Sequence, residues 1–258
     1  MNALALTDLE KAAFERDGYL VRRQMASDSA RLQMQQIASE HLDELIAPIE
    51  YEIDVQYPGA PSDPDAPGAR TSRRLLQAYA RHEVFRNWAT SADVAETLRS
   101  LFGSKQEPML SQCHHNCVMT KAPGYSSVTL WHQDNRYWSF DYENLISVWM
   151  ALGAENKQNG CLRVIPGSHK LNLDSGRFDA AMFLRPDLAE NKKLIGAAEV
   201  VELEPGDVLF FHSRLFHAAG RNLSDETKLS VVFTYHDAGN HPIRDTRSDR
   251  FPSIGLGE

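Results

Sequence analysis

The chain has 258 residues, enough for one large domain, and its 42% hydrophobic and 24% charged residues are ordinary for a globular protein. Its net charge of −8 argues against a general binder of nucleic acids or acidic membranes, but not against an anionic small substrate, because a pocket's field is set locally. Three cysteines are too few for a disulfide framework, and the sequence shows neither a signal-peptide hydrophobic run nor an apolar stretch of about 18 residues. We therefore expect a soluble, cytoplasmic protein.

The first part of the chain, residues 1–105, is predicted to be mostly helical. Thr7 precedes an acidic first turn and is a suitable N-cap for a first helix. Residues 20–23 favour a short strand, and Asp28 is then predicted to cap a second helix that runs to about Leu45.

Two further segments complete this part. Residues 57–71 hold four prolines, which predicts a loop long enough to act as a lid over a pocket. Residues 73–103 carry apolar side chains at helical spacing and are predicted to be helical.

The pattern changes in residues 106–240, where short apolar or alternating segments are separated by turn residues. Val201 and Leu203, for example, alternate with glutamates, and a Pro-Gly-Asp turn follows them. The predicted strands lie within seven segments: 109–120, 126–133, 145–152, 161–166, 199–204, 207–212 and 229–236. Such strands predict a sandwich or jelly roll rather than a parallel α/β sheet.

The expected organisation is therefore a single domain over residues 1–258, mainly β with an α-helical layer. Its jelly-roll core is residues 106–240, interrupted by an insertion of mixed helical and loop character at 174–196. Residues 241–258 form a C-terminal tail.

A histidine and an aspartate in this core have the spacing of metal ligands. His132 and Asp134 lie two positions apart, so in a strand both side chains leave the same face. One carboxylate and two imidazoles form the facial triad that suits iron(II) and leaves coordination positions open. His217 is the predicted third ligand, because it follows a turn and a buried strand. In a jelly roll, this order of elements brings a residue to the same open end of the fold as the first two ligands.

Two other histidines compete for this role. His212 follows four apolar residues and is predicted to face the core, whereas small residues follow His217 and leave room for a metal near the backbone. His169 comes directly after a Pro-Gly-Ser turn, where a histidine more often contacts local backbone. We therefore prefer His217.

The segment 113–117, Cys-His-His-Asn-Cys, suggests a rival zinc site. Structural zinc sites normally pair two separated ligand clusters, and the only cysteine outside this segment is Cys161. Strand alternation also sends these five side chains to opposite faces. An interior strand is the preferred interpretation.

Three segments, 131–140 (Trp-His-Gln-Asp-Asn-Arg-Tyr-Trp-Ser-Phe), 159–169 and 217–222, resemble the phytanoyl-CoA dioxygenase family in order and spacing. The similarity spans roughly residues 8–240. It implies a cupin-like double-stranded β-helix that uses Fe(II) and 2-oxoglutarate as cofactors. It also implies a reaction of O2 with a small-molecule substrate, in which hydroxylation is coupled to release of succinate and CO2.

The resemblance also assigns a residue to the far carboxylate of 2-oxoglutarate. The family carries a basic residue, usually arginine, eleven positions after the distal histidine, and here that residue is Lys228. A lysine supplies a point charge without the bidentate fork of arginine. Arg221 is the alternative.

Four more residues are assigned to 2-oxoglutarate. Trp149 matches a tryptophan that lines the family's co-substrate pocket, Arg74 falls where a basic residue assists, and Cys117 aligns with a pocket-lining position. Thr129, three positions before His132, is placed to donate to a carboxylate.

Substrate contacts are predicted by proximity alone for Gln133, Arg136 and Tyr137. Halogenating relatives replace the triad carboxylate with a small residue, so the presence of Asp134 implies hydroxylation. Two other functions remain open: a non-catalytic jelly-roll binding protein, and a zinc hydrolase that uses the same three ligands with Glu143 as the nearby base. The sequence specifies neither the substrate nor the oligomeric state.

Overall fold

The structure is a computed structural model that describes residues 5–55 and 60–256. Helix α1 (Asp8–Asp17) begins at Thr7, whose hydroxyl accepts from the Glu10 backbone N–H while the Glu10 carboxylate accepts from the Thr7 N–H at 2.8 Å. This reciprocal capping box satisfies two backbone donors at the helix start. The predicted N-cap is confirmed.

Strand β1 (Tyr19–Arg22) follows within a residue of the prediction, and helix α2 (Asp28–Asp43) comes next. The predicted cap of this helix was wrong by one position. Ser27 is the N-cap and accepts from the Ala30 backbone N–H at 3.3 Å, because Ser27 has extended backbone and Asp28 is already helical. Asp28 stabilises the first turn through its charge near the helix N-terminus.

The prediction of helix throughout 73–103 was wrong at its start. After β2 (Ile49–Tyr51), residues Ser72–Leu76 form strand β3, and helices α3 (Ala78–Arg81), α4 (Glu83–Ala89) and α5 (Ala92–Phe102) follow. Burial alternates along β3 because one of its faces packs on the core. Residues 57–59 of the predicted loop lie outside the described residues, and the lid role of 57–71 stays a prediction.

Each of the seven predicted strand segments overlaps a strand, and β4 and β11 extend one residue beyond their segments at both ends. The remaining elements are β4 (Pro108–Lys121), β5 (Thr129–His132), β6 (Leu145–Ala151), β7 (Leu162–Val164), α6 (Ala189–Gly196), β8 (Glu199–Val200), β9 (Val208–His212), β10 (His217–Ala219), β11 (Lys228–Asp237) and β12 (Ile254–Gly255). Among the described residues, no helix is long and apolar enough to cross a membrane.

The strands form two antiparallel sheets. The larger has the order β1-β9-β6-β11-β4-β3-β2, with β12 also paired to β4, and the smaller has the order β5-β10-β7-β8. Helical side chains such as Met34 and Phe85 pack with Val148 on one face of the larger sheet. Trp149 and Val232, on its other face, pack against the smaller sheet. The predicted jelly roll with a helical layer is confirmed.

Candidate active site

Three predicted metal ligands meet at one end of the smaller sheet. His132 ends β5 and lies directly opposite His217, the first residue of β10, while Asp134 opens the short turn after β5. The Nε2 atoms of His132 and His217 lie 3.7 and 3.6 Å from Asp134 Oδ1. All three side chains are buried, and their ligand atoms lie within 4.8 Å of one another.

Backbone carbonyls fix the orientation of both imidazoles. His132 Nδ1 lies 2.8 Å from the carbonyl oxygen of Leu130, and His217 Nδ1 lies 3.0 Å from that of Leu215. Because a carbonyl only accepts, Nδ1 carries the proton in each ring and the Nε2 lone pair is directed towards Asp134. Such support behind each imidazole is typical of metal-binding histidines.

Asp134 is held as a carboxylate. Burial acts to raise its pKa, but neighbouring His115, His217 and His132 lower it, so the net shift is downward. The Ser147 hydroxyl donates to Asp134 Oδ2 at 3.4 Å and favours the charged form. Burial also lowers the pKa of His132 well below its usual value. A carboxylate oxygen and two imidazole nitrogens fit a divalent iron.

The competing histidines lie apart from this group. His212 and His169 face each other with ring centroids 5.4 Å apart, and His212 Nδ1 accepts from the Arg214 backbone N–H at 3.1 Å. Within residues 5–55 and 60–256, the triad is the one group of three or more histidine, cysteine or acidic side chains close enough to share an ion. The geometry therefore favours His217 over both.

The five-residue segment of the rival zinc site is dispersed, but not by simple strand alternation, because the β4–β11 register is irregular here and the adjacent His114 and His115 both line the cavity. Cys113 contacts the backbone of Phe251, whereas Cys117 lies in the core with Trp149. His114 Nε2 lies 2.9 Å from Ser248 Oγ, and its ring stacks on Trp138. These side chains do not converge on a common point.

The triad opens into a cavity of about 590 Å³ between the two sheets. Arg136, Tyr137 and Trp138 line its outer part, together with Arg247 from the C-terminal segment. The Arg136 guanidinium carbon lies 4.1 Å from the centroids of both the Tyr137 and Phe183 rings. This wall combines aromatic surface with fixed positive charge, a combination suited to a small polar substrate.

At the inner end of the cavity, Lys228 belongs to a buried polar cluster. Its Nζ lies 3.0 Å from Glu155 Oε2 and 5.1 Å from the centroid of the Trp149 ring. The other carboxylate oxygen, Glu155 Oε1, accepts from Trp149 Nε1 at 2.9 Å and from Ser230 Oγ at 2.6 Å. Both Lys228 and Trp149 line the cavity, as predicted.

Comparison with known proteins agrees with this geometry. The family model for phytanoyl-CoA dioxygenase (PhyH) matches residues 14–230. This chain belongs to the phytanoyl-CoA dioxygenase family. The peroxisomal phytanoyl-CoA dioxygenase of Bos taurus is 23% identical over 94% of this chain and 71% of its own length. A probable phytanoyl-CoA dioxygenase of Caenorhabditis elegans is 26% identical over 62% of this chain, which spans only about half (53%) of that relative.

Two solved structures share the fold of this family member. EctD from S. alaskensis, determined with 2-oxoglutarate and 5-hydroxyectoine, has a TM-score of 0.76 at 22% identity and covers 94% of this chain and 80% of its own. The epimerase SnoN, in complex with Fe3+, alpha ketoglutarate and nogalamycin RO, has a TM-score of 0.74 at 22% identity. That alignment covers 97% of this chain and 98% of SnoN.

Arg74 and Thr129 both line the cavity, but each is engaged by another side chain. Arg74 Nε lies 3.0 Å from Glu50 Oε1. Thr129 Oγ1 accepts from Arg73 at 3.2 Å. The basic position assigned to the co-substrate is thus part of a charge network with acidic partners.

Two residues with predicted roles at the site, Gln133 and Cys117, do not line the cavity. Gln133 lies between two ligands, so alternation turns it away from the cavity, and its amide donates to the Arg214 carbonyl. Cys117 is buried in the core, and Met119, two residues further along the same strand face, takes the place at the cavity wall.

The two alternative residues are also outside the cavity lining. Arg221 lines a separate, smaller pocket beside Ser126 and Asn222. Glu143 pairs with Arg214 at 3.3 Å and does not line the cavity. The zinc-hydrolase alternative therefore lacks its predicted base.

Several residues at the site were missed from the sequence. Glu155 lies in the connection after β6, where it forms an isolated β-bridge with Leu203, and no motif surrounds it. Lys121 ends β4 in a segment with the pattern of an ordinary strand terminus. Arg73 pairs with Glu52 at 3.2 Å in the interior. A buried acid in an irregular connection gives no periodic signal, so only the fold brings these residues together.

Proposed function

We propose that this chain is an Fe(II)- and 2-oxoglutarate-dependent dioxygenase that hydroxylates a small molecule, with O2 as co-substrate and succinate and CO2 as products. His132, Asp134 and His217 are the proposed iron ligands. The observation that carries the proposal is the convergence of these buried donors, within 4.8 Å of one another, on a cavity large enough for a co-substrate and a small substrate.

Support comes from three directions. The donor set suits iron(II) and leaves coordination positions open. The chain belongs to the phytanoyl-CoA dioxygenase family, and two proteins of the same fold were determined with 2-oxoglutarate, also called alpha ketoglutarate, one of them with iron as well. When bound, iron would activate O2 for oxidation of the substrate.

The chain's own residues would position the reactants. Lys228 would hold the far carboxylate of 2-oxoglutarate, with Trp149 packed beside it and Thr129 as a nearby hydroxyl. Arg74, held by Glu50 at 3.0 Å, would assist from the cavity wall. These side chains lie on strands of the jelly roll, which hold them rigidly relative to the triad.

Arg136 and Tyr137 would contact the substrate at the outer wall of the cavity. The guanidinium is held between two aromatic rings, so it is oriented before any ligand arrives. A preorganised guanidinium loses little freedom on binding. Asp134 keeps the carboxylate in the triad, which favours hydroxylation over halogenation.

Anaerobic titration of the purified protein with Fe(II) and then 2-oxoglutarate tests this function. We expect the weak visible charge-transfer band of the chelate, and its loss in His132→Ala. A succinate-release screen over small metabolites, with mass spectrometry for gain of one oxygen atom, then tests hydroxylation. Absence of the band in the wild-type protein would favour the zinc or binding-protein alternatives, and succinate release without added oxygen in the product would contradict hydroxylation.

A further inference from the structure

Two lysines face each other at the inner end of the cavity. Lys121, the last residue of β4, is the direct cross-strand partner of Lys228, the first residue of β11. Direct partners in an antiparallel pair share a face, and both lysines line the cavity. Like charges in this arrangement destabilise a sheet unless an anion compensates them.

Glu155 compensates only one of the two. Its carboxylate pairs with Lys228 at 3.0 Å and is fixed by hydrogen bonds from Trp149 and Ser230. Both partners of this ion pair are buried, with side chains no more than 3% exposed. The Lys228–Glu155 pair therefore adds no net charge for an incoming carboxylate.

Lys121 has no acidic partner of its own among the described residues. Its Nζ donates to the Ser127 carbonyl at 3.1 Å, and no carboxylate among the described residues forms an ion pair with it. The nearby guanidinium of Arg73 is already paired with Glu52. Burial, and then the charges of Lys228 and Arg73, lower the pKa of Lys121 to about 7, against the weaker opposing effect of Glu52 and Glu155.

We propose that Lys121 and Lys228 together bind the far carboxylate of 2-oxoglutarate, while Glu155 stays in place and orients Lys228. This inference rests on the proposed function and deepens it. A carboxylate between the two ammonium groups removes their mutual repulsion and gives Lys121 the anion that the protein itself does not provide. The Lys228–Glu155 pair has no net positive charge, and Lys121 on the neighbouring strand β4 supplies one.

Anaerobic calorimetry with metal-loaded protein tests the assignment through binding rather than turnover. The ligands are 2-oxoglutarate and 2-oxovalerate, which has the same chain length but no far carboxylate. In Lys121→Met we expect 2-oxoglutarate to bind about 10- to 100-fold more weakly, the range of one charge-assisted hydrogen bond, with little change for 2-oxovalerate. Lys121→Arg should retain most of the affinity, and Lys157→Met removes an exposed lysine outside the cavity as the matched control.

Proton uptake by the wild-type protein provides a second test that needs no variant. At pH 8 the free Lys121 side chain is mostly neutral, and an adjacent carboxylate restores its charge, so binding should take up close to one proton. Calorimetry in buffers of different ionisation enthalpy measures this number. Binding of 2-oxoglutarate but not of 2-oxovalerate should show it.

Two results would overturn the assignment while leaving the proposed function intact. One is 2-oxoglutarate affinity in Lys121→Met equal to that of the wild type. The other is wild-type binding at pH 8 without proton uptake. If the wild-type protein binds no 2-oxoglutarate with metal present, both the proposed function and this inference are wrong.

Discussion

Lys228 Nζ and Glu155 Oε2 lie 3.0 Å apart inside the jelly roll, with the Glu155 side chain fully buried. The carboxylate also accepts hydrogen bonds from Trp149 and Ser230, so each of its oxygens is satisfied. A buried pair of this kind adds little by itself, because desolvation offsets the attraction, but losing one partner leaves an uncompensated charge. The pair therefore makes the inner end of the cavity sensitive to single substitutions.

Glu155→Gln should destabilise the protein by about 3–5 kcal/mol, the range for breaking a buried ion pair. Glutamine can still accept from Trp149 and Ser230, but its NH2 group then faces the Lys228 ammonium, so the change removes both the charge and the hydrogen bond from Lys228. The free energy of unfolding from urea denaturation measures the effect, and Glu226→Gln provides the control at an exposed glutamate. Equal unfolding free energies for Glu155→Gln and wild type would contradict a stabilising role for the pair.

His217→Ala should weaken binding of a divalent metal by at least about 100-fold, because it removes one of three ligands. Even mutation of a residue that only hydrogen-bonds to a metal ligand typically lowers metal affinity by about 10- to 100-fold. His212→Asn should bind metal like the wild type, because His212 lies outside the triad and Asn can accept from Arg214. Anaerobic equilibrium titration with Fe(II) measures both affinities. The opposite order of effects would transfer the third ligand to His212.

Below neutral pH, the free energy of unfolding should depend on protonation of His212. Burial, followed by the charges of His169 and Arg214, lowers its pKa from 6.5 to about 3. Between these pKa values the unfolded chain binds a proton that the folded protein does not, so this contribution to stability is complete above pH 6.5 and is lost as pH falls towards 3. The slope is about 1.4 kcal/mol per pH unit.

Urea unfolding at pH 6, 5 and 4 tests this dependence. His212→Asn removes the titrating group. As the pH falls, the unfolding free energy of this variant should therefore decrease less steeply than that of the wild type, by about 1.4 kcal/mol per pH unit. His241→Asn, at an exposed histidine, is the control. Parallel declines for wild type and His212→Asn would show that His212 does not couple to unfolding in this pH range.

Gly160→Ala should lower the thermal midpoint. Gly160 has φ +76°, and a Cβ there would lie 2.6 Å from the Gly220 carbonyl oxygen and 2.8 Å from that of Arg221. We expect a cost of about 1–3 kcal/mol from backbone strain alone, with more from the clash. Gly153→Ala is the matched control, because a Cβ at Gly153 meets nothing within 4 Å. Similar midpoints for the two variants would contradict the close approach.

The strand pattern and the triad were predictable because both have a periodic signal. Alternation of apolar residues located the seven strand segments of the core, and the two-residue spacing of His132 and Asp134 placed both on one strand face. The choice of His217 over His212 followed from the small residues after it. In the structure His217 lies directly opposite His132 in register.

The errors have equally physical causes. Leu75 and Leu76 fit a helical pattern from 73 onwards, yet Ser72–Leu76 pairs with β4, because strand formation depends on a partner about 40 residues away in sequence. Gln133 was predicted to contact the substrate because it is adjacent to two ligands in sequence. Adjacent residues in extended backbone point to opposite sides, so its side chain turns away from the cavity. Glu155 reaches the site through an isolated bridge with Leu203, and Lys121 through the register of β4 with β11. Local sequence composition predicts neither contact.

Strand β1 pairs with β9 along its full length, and Arg23 and Gln24, just after β1, bind the buried carboxylate of Asp207 at the start of β9. Phe211 of β9 lines the cavity. Strand β1 is therefore an edge strand of the sheet that forms one wall of the cavity, although it lies far from the triad in sequence. A truncated protein that begins at the jelly-roll core would leave β9 as an exposed edge strand, which is prone to pair with strands of other protein molecules. Protein engineers seeking a minimal catalyst on this scaffold should keep the first two dozen residues.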